Sequence, residues 1–370
     1  MRSDIAESIL QTTMDHWDIT KRVDETRNIQ FISEIKYDDY QQYTHGMRYV
    51  ESLALWLRQF NSHEDRDIAY DLAKNKLIYI SEEEMRQLIS CSFPIIMRRY
   101  LLEKAKWFCD TNTINDTKDR KDIYRFFKRC SLFLGLSDGA HMDFFRRQNK
   151  ELSNEQVFLH YDYSNRKAED MKDELGKDAF INIMIDKYPN SLEKKFCSYF
   201  LIDDFTGSGK SYIRNESGSW HGKIHKFFSR VKEIEGSISC DVHIIIYIAT
   251  QKALDTIKEQ VDAYARENDM ANITVDAMQI IHGIEWTNNA ELHDLLERSY
   301  NQYILAGYKS FEDVHYKKGA GAEPYLGFAD CSLPLVLYHN TPNNSLPIIW
   351  YTWNDEVDAL FPRITRHKEL

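Results

Sequence analysis

Ser198-Tyr-Phe-Leu-Ile-Asp-Asp-Phe-Thr-Gly-Ser-Gly-Lys-Ser211 is the stretch on which the rest of the chain turns. Tyr199 to Ile202 is an apolar run that predicts a buried strand; Asp203 and Asp204 close it, and a loop of small residues follows. Ligands of open α/β sheets bind outside the carboxyl ends of strands, so a site is expected here. Thr206, Gly207, Ser208, Gly209 and Ser211 can turn backbone N–H groups and hydroxyls toward one anion, the chemistry of a phosphate cradle. Carboxylates at the loop's mouth can accept hydrogen bonds from sugar hydroxyls. Phosphate donors beside paired hydroxyl acceptors suggest a ribose 5-phosphate.

Gly209-Lys210-Ser211 also looks like the end of a Walker A motif, which would make the chain a P-loop ATPase. That motif needs a glycine where Asp204 stands, and an acid there would repel the phosphates. Asn215-Glu-Ser-Gly-Ser219 interrupts the helix that should follow, and Val242 to Ala249 runs into Thr250 rather than into a Walker B acid. The P-loop therefore stands as the alternative, beside a plain strand and glycine turn with no ligand.

The chain has 370 residues, 43% hydrophobic and 28% charged, enough for one large or two ordinary globular domains. No apolar run is long enough to span a bilayer, and the acidic start predicts no secretory signal. A formal net charge of −11 argues against a broad nucleic-acid-binding surface. The six cysteines form no C-x-x-C pair and have no histidine at metal-ligand spacing, so no protein-held metal is expected. They read as reduced thiols of a cytoplasmic protein.

Residues 1–120 read as a helical domain, either a bundle or a winged-helix-like module with a short strand at Ile78-Tyr-Ile80. Pro94 is expected to break one helix before another, Ile95 to Phe108, and Thr111 to Arg120 is the linker candidate. Residues 121–370 read as an α/β domain. Leu132 to Leu136 is a buried strand followed by the small-residue turn Ser137-Asp-Gly-Ala-His141, a second place for a ligand. Val157 to Tyr161 is a strand and Asp162 to Lys177 a charged segment. Lys223 to Ile234 is a helix, Val242 to Ala249 a strand buried on both faces, Lys252 to Asn268 a helix and Ile273 to Ile281 a strand. Such alternation predicts a parallel sheet with right-handed crossovers. Near the end, His339-Asn-Thr-Pro-Asn-Asn344 is a polar turn.

The Asp203–Ser211 segment resembles the 5-phosphoribosyl-1-pyrophosphate (PRPP) signature of type I phosphoribosyltransferases: an apolar strand, two acids and a small-residue loop. Thr206 stands where Val or Ile is usual, and Lys210 is an unusual insert. Further segments, Phe133 to Ala140 with Phe145-Arg-Arg147, Leu152 to Val157, and His339 to Trp350 with Leu360-Phe-Pro-Arg363, are similar to phosphoribosyltransferase-like effectors of bacterial conflict and anti-phage systems.

The resemblance implies a type I phosphoribosyltransferase fold with an N-terminal helical domain. It implies that PRPP with Mg2+ is bound and ribosyl phosphate transferred to an unknown acceptor. Thr206 to Ser211, Lys210 included, would hold the 5-phosphate, and Asp203 and Asp204 the ribose. Ser137, Asp138 and Gly139, with Arg146 or Arg147, would grip pyrophosphate. Arg166 or Lys167 would close a mobile catalytic loop, and His339, Asn340 and Asn343 would form a hood over the acceptor. It also implies phage defence beside an ATPase or reverse-transcriptase (retron) partner. A non-catalytic module sensing PRPP or a nucleotide is the alternative that Thr206 and Lys210 motivate.

Overall fold

The computed structural model describes residues 3–236, 240–268, 270, 273–301, 321, 323–352 and 357–364. Its helices are α1 (Ser3–Thr13), α2 (Ile19–Ile35), α3 (Tyr49–Arg58), α4 (His63–Asp71), α5 (Glu82–Ser92), α6 (Arg98–Thr111), α7 (Thr117–Arg129), α8 (Met142–Gln148), α9 (Asn165–Lys177), α10 (Ala179–Lys187), α11 (Lys223–Glu235), α12 (Gln251–Glu267), α13 (Ala290–Ser299) and α14 (Pro347–Trp350). Its strands are β1 (Ile78–Ile80), β2 (Ser131–Gly135), β3 (Val157–Leu159), β4 (Ser198–Thr206), β5 (Arg214–Glu216), β6 (Ser219–His221), β7 (Asp241–Thr250), β8 (Ile273–Ile281) and β9 (Leu335–Leu337). The chain divides into two compact units, Arg86–Ile281 and Met1–Met85 with His282–Leu370. No helix among the described residues is long and apolar enough to cross a membrane.

The Arg86–Ile281 unit is built on five parallel strands in the order β3-β2-β4-β7-β8. Counted along the chain this is 2-1-3-4-5, a doubly wound order. All five residues of β2 and nine of the ten of β7 are buried, which is why these segments read as unbroken apolar runs. On one face Phe133 stacks on Phe200 at 5.0 Å, with Phe93 and Phe145 against it, and Tyr100 of α6 stacks on His243 at 4.1 Å. On the other, Tyr199 meets Phe227 of α11, and Phe228 stacks on Tyr264 of α12. Ile224, Phe227, Phe228 and Val231 form the buried stripe of α11, and Gly236, at φ 77°, ends it. Each such side chain, fully buried, contributes roughly 1.5–3 kcal/mol over its exposed state.

The other unit is mainly helical. Its short strand β1 pairs in parallel with β9, Ile78 opposite Leu335 and Ile80 opposite Leu337. Tyr37, Tyr40, Tyr43, Tyr49 and Tyr79 gather around Phe361, and the Trp56 indole donates to the Ile348 carbonyl at 2.7 Å.

Three sequence expectations meet a different structure here. The division does not fall at residue 120, because α6 and α7 join the sheet unit through Phe108 against Phe127 and through Lys104, which reaches Cys197 and Asp241. Ile78 to Ile80 forms no wing, since its partner is a parallel strand from the far end of the chain rather than a hairpin neighbour. Pro94 does not break the helix: a wide π-type turn, Phe93–Met97, carries α5 into α6 and absorbs the missing N–H.

Candidate functional site

The chain leaves β2 toward β3 on one side and leaves β4 toward β7 on the other. Between β2 and β4 lies the switch point of the sheet, where a crevice opens at the carboxyl ends. The sequence places Asp203 and Asp204 at the solvent-facing end of the strand, at the loop's mouth; in the structure β4 runs on to Thr206, so both acids lie inside it. β7 is ten residues long and pairs with β4 as far as Thr206 opposite Ala249, so the strand continues past the acids.

Alternation along β4 sends the two carboxylates to opposite faces. Asp203 is fully buried. Its Oδ1 accepts the Ser137 hydroxyl from the loop after β2, and its Oδ2 accepts the Lys223 ammonium at 2.5 Å. Lys223 is the first residue of α11, and its ammonium lies 5.2 Å from the centroid of the buried Tyr212 ring. Burial, and then the negative charges of Asp203 and Asp204, push the Tyr212 phenol well above its ordinary pKa.

Asp204 is half-buried on the other face, against Gly139 of the loop after β2. A Cβ added at Gly139 would stand 2.2 Å from Asp204 Oδ2, so only glycine lets the loop approach this carboxylate. The neighbouring Tyr247 hydroxyl donates to the Ala140 carbonyl at 3.1 Å and fixes the same loop. Burial first, and the charge of Asp203 second, push the Asp204 carboxyl up to about 7 against the opposing pull of Lys223.

The loop after β4 is compact. The Gly209 N–H donates to the Thr206 hydroxyl at 3.0 Å, and the Gly207 carbonyl accepts the Thr250 hydroxyl at 2.7 Å. Gly209 has φ 75°, and a Cβ there would meet the Ala253 carbonyl at 2.8 Å. The backbone N–H groups of Gly207 and Ser208 and the Ser208 hydroxyl have no hydrogen-bond partner among the described residues, although both residues are buried. Lys210 is half-buried and its carbonyl accepts from Arg214; Ser211 is exposed and its carbonyl accepts the Lys223 N–H at 3.1 Å.

No helix follows this loop. Ser217 and Gly218, both at positive φ, turn β5 into β6 as a tight hairpin, and α11 begins only at Lys223. The Walker arrangement, a loop opening directly into a helix, is therefore absent here.

The structure thus brings together Ser137, Gly139, Asp203, Asp204 and the loop Thr206–Ser211. Asp138 is exposed and accepts the Tyr161 hydroxyl at 2.5 Å. Arg146 and Arg147 are exposed on α8, Arg147 lying 3.7 Å from Asp143. Arg166 and Lys167 do not lie on a loop. Ser164 caps α9, whose Ala168, Met171 and Leu175 are buried, and the Lys167 ammonium sits 4.1 Å from the Phe158 ring centroid. His339, Asn340 and Asn343 belong to the other unit and hold its chain: the His339 carbonyl accepts from Gln42, the Asn340 amide donates to Ile364, and the Asn343 carbonyl accepts the Phe328 N–H.

Sequence reasoning missed Lys223 and His160. His160 follows β3, its Nδ1 3.2 Å from the Gly135 carbonyl, and burial lowers its pKa despite the pull of Asp203. Sequence spacing also gave no hint of Asp15, His16 and His63, whose potential ligand atoms lie within 4.8 Å of one another in the other unit. His16 Nε2 lies 3.0 Å from Asp67 Oδ2, and His63 Nε2 lies 3.1 Å from Asp15 Oδ1.

In a comparison with protein families, the family model PRTase-CE matches the chain over residues 53–363, most of its length. No curated protein and no solved structure matches the chain.

Proposed function

The chain belongs to the PRTase-CE family and is phosphoribosyltransferase-like, and from that premise we propose that it binds PRPP and transfers its ribosyl phosphate to a nucleophile. The observation that carries this reading is the junction, at the switch point, of the loop after β2 with the end of β4 that leads into the small-residue loop: Ser137 bonded to Asp203, and Gly139 pressed on Asp204. A ligand lying across that junction meets one loop with each of its ends. The unpartnered N–H groups of Gly207 and Ser208, with the Ser208 hydroxyl, suit a 5-phosphate. The Ser137–Gly139 loop suits the pyrophosphate, with the exposed Arg146 and Arg147 as its cationic neighbours.

In the transfer the bond from the anomeric carbon to pyrophosphate breaks with its electron pair leaving on pyrophosphate, and the acceptor's lone pair forms the new bond to that carbon. Positive charge develops on the sugar between these events, and the carboxylates of β4 stabilise it electrostatically. Asp204 and the exposed Asp138 are the carboxylates that would hold a Mg2+ ion, because both reach the surface whereas Asp203 is fully buried. Bound there, Mg2+ would supply charge neutralisation for the departing pyrophosphate.

The test is pyrophosphate release from PRPP and Mg2+ in the presence of candidate acceptors. The wild-type chain releases pyrophosphate, and Asp203→Asn/Asp204→Asn does not. Release by a folded double variant at the wild-type rate would remove the site assignment.

A second reading, a sensor that binds PRPP without turnover, is favoured by the buried and fully bonded Asp203. Calorimetric binding of PRPP without pyrophosphate release would select it. We further propose a role as an effector in bacterial anti-phage defence with an ATPase or reverse-transcriptase partner. The resemblance of the Phe133–Ala140 and His339–Trp350 segments supports it, and plaque counts in cells carrying the wild type or the double variant test it.

A further inference from the structure

Asp203 and Asp204 are adjacent in sequence but differ in what they can offer a ligand. Asp203 has no exposed surface; one carboxylate oxygen takes the Ser137 hydroxyl and the other the Lys223 ammonium. A ribose hydroxyl or a divalent ion could reach it only by displacing one of these. Lys223 is the reverse case. Its side chain is 30% exposed, and Asp203 is its one hydrogen-bond partner among the described residues. An ammonium carries three donors, so two remain at the exposed end.

The backbone fixes where that end sits. The Lys223 N–H donates to the carbonyl of Ser211, the last residue of the small-residue loop, and the Ile224 N–H to that of Tyr212. Gly222 makes this approach feasible: at φ 110° its missing Cβ would fall 2.3 Å from the Tyr212 carbonyl oxygen. The hairpin β5–β6 therefore returns the chain to the loop it left and sets a lysine beside it.

We propose that Lys223 is the resident cation of the site. It contacts the negative charge of the ribose-phosphate ligand, Asp203 is a positioning residue that holds it, and Asp204 alone of the pair meets the ribose hydroxyls. This rests on the ribose-phosphate reading of the loop and assigns its charge chemistry. An anion entering the site meets a fixed ammonium, so the ribose-phosphate half is bound without a divalent metal.

The experiment is calorimetric binding of ribose 5-phosphate, which lacks pyrophosphate, to the full chain in EDTA and in Mg2+. The wild type binds it with about the same Kd in both buffers. Lys223→Met weakens binding in EDTA by roughly tenfold or more, as expected for loss of a charge-assisted hydrogen bond. It also flattens the dependence of Kd on salt, which a merely structural role would leave unchanged. Where this variant does not fold, Asp203→Asn/Lys223→Met, which leaves no buried charge unpaired, carries the test.

Wild-type binding that requires Mg2+ would overturn Lys223 as the cation while leaving the ribose-phosphate site standing. Binding by a folded Lys223 variant at wild-type strength and salt dependence would do the same. No binding of ribose 5-phosphate by the wild type in either buffer would overturn the site reading itself, and this inference with it.

Discussion

The five-stranded sheet carries a lysine–aspartate pair at each end, and the two are built differently. At the amino end, Lys104 of α6 donates to Asp241 at 2.7 Å, to the Cys197 carbonyl at 2.6 Å and to the Ser198 hydroxyl at 3.3 Å. Burial alone would lower its pKa, yet the neighbouring Cys197 and Asp241 raise it on balance. All three of its donors are used within the protein, as a structural tie requires. At the carboxyl end, Lys223 uses one donor on Asp203 and keeps 30% of its side chain exposed. A saturated ammonium holds strands together, whereas an ammonium with donors to spare, held over a crevice at a switch point, is available to something else. On the proposed reading, this difference is the reason the ligand is assigned to the carboxyl end of the sheet.

The comparison is broken most directly by removing each lysine. Lys223→Met leaves a fully buried carboxylate unpaired, and a loss of about 3–5 kcal/mol in urea unfolding at neutral pH is expected. Adding Asp203→Asn should recover most of that loss. Lys104→Met removes the ammonium bonded to Asp241, whose side chain is 24% exposed, so a smaller loss of about 1–3 kcal/mol is expected. Its Kd for ribose 5-phosphate should not move. If instead Lys104→Met weakened binding and Lys223→Met did not, the two ends would have exchanged roles.

Gly139→Ala sharpens the contrast from the ligand side. The new methyl group would press on Asp204, with an expected cost of about 1–3 kcal/mol for overpacking and weaker ribose 5-phosphate binding by calorimetry. The pH dependence of stability isolates Asp204 itself. Its carboxyl is pushed up to about 7 in the folded chain, above its ordinary value near ~3.9. Its contribution to stability is therefore fully present below about pH 4 and is lost as pH rises through the folded pKa. Relative to wild type, Asp204→Asn should gain stability across that window, measured by urea midpoints at a series of pH values. An equal difference at every pH would refute the assignment. The smallest effect is expected for Arg147→Ala, an exposed residue 3.7 Å from Asp143, which should change stability by no more than about 0.5 kcal/mol.

Much of the sheet unit was legible in the sequence, because parallel strands buried on both faces give unbroken apolar runs. Val242 to Ala249 and Ile273 to Ile281 stand where β7 and β8 stand. The small-residue loop was legible for the same reason: it is local. Lys223 was not, although its helix was read from the stripe Ile224, Phe227, Phe228 and Val231. Its pairing with Asp203 depends on a hairpin whose length and turn decide where the helix begins, and no periodicity reports that. That both acids lie inside β4 was hidden too, since it is set by how far β7 runs beside β4. The two-unit division escaped because β9 lies far along the chain from its partner β1.

That last pairing has a consequence for synthesis. Ile78 to Ile80 leave the ribosome long before their partners Leu335 to Leu337. At ordinary elongation rates the first strand waits on the order of 10–50 s for its neighbour. The inserted unit is completed at Ile281, so it can acquire its crevice while the unit that encloses it in sequence is still half made. A nascent chain with residues up to 281 outside the ribosome would then already carry both loops of the crevice before Leu335 to Leu337 are made.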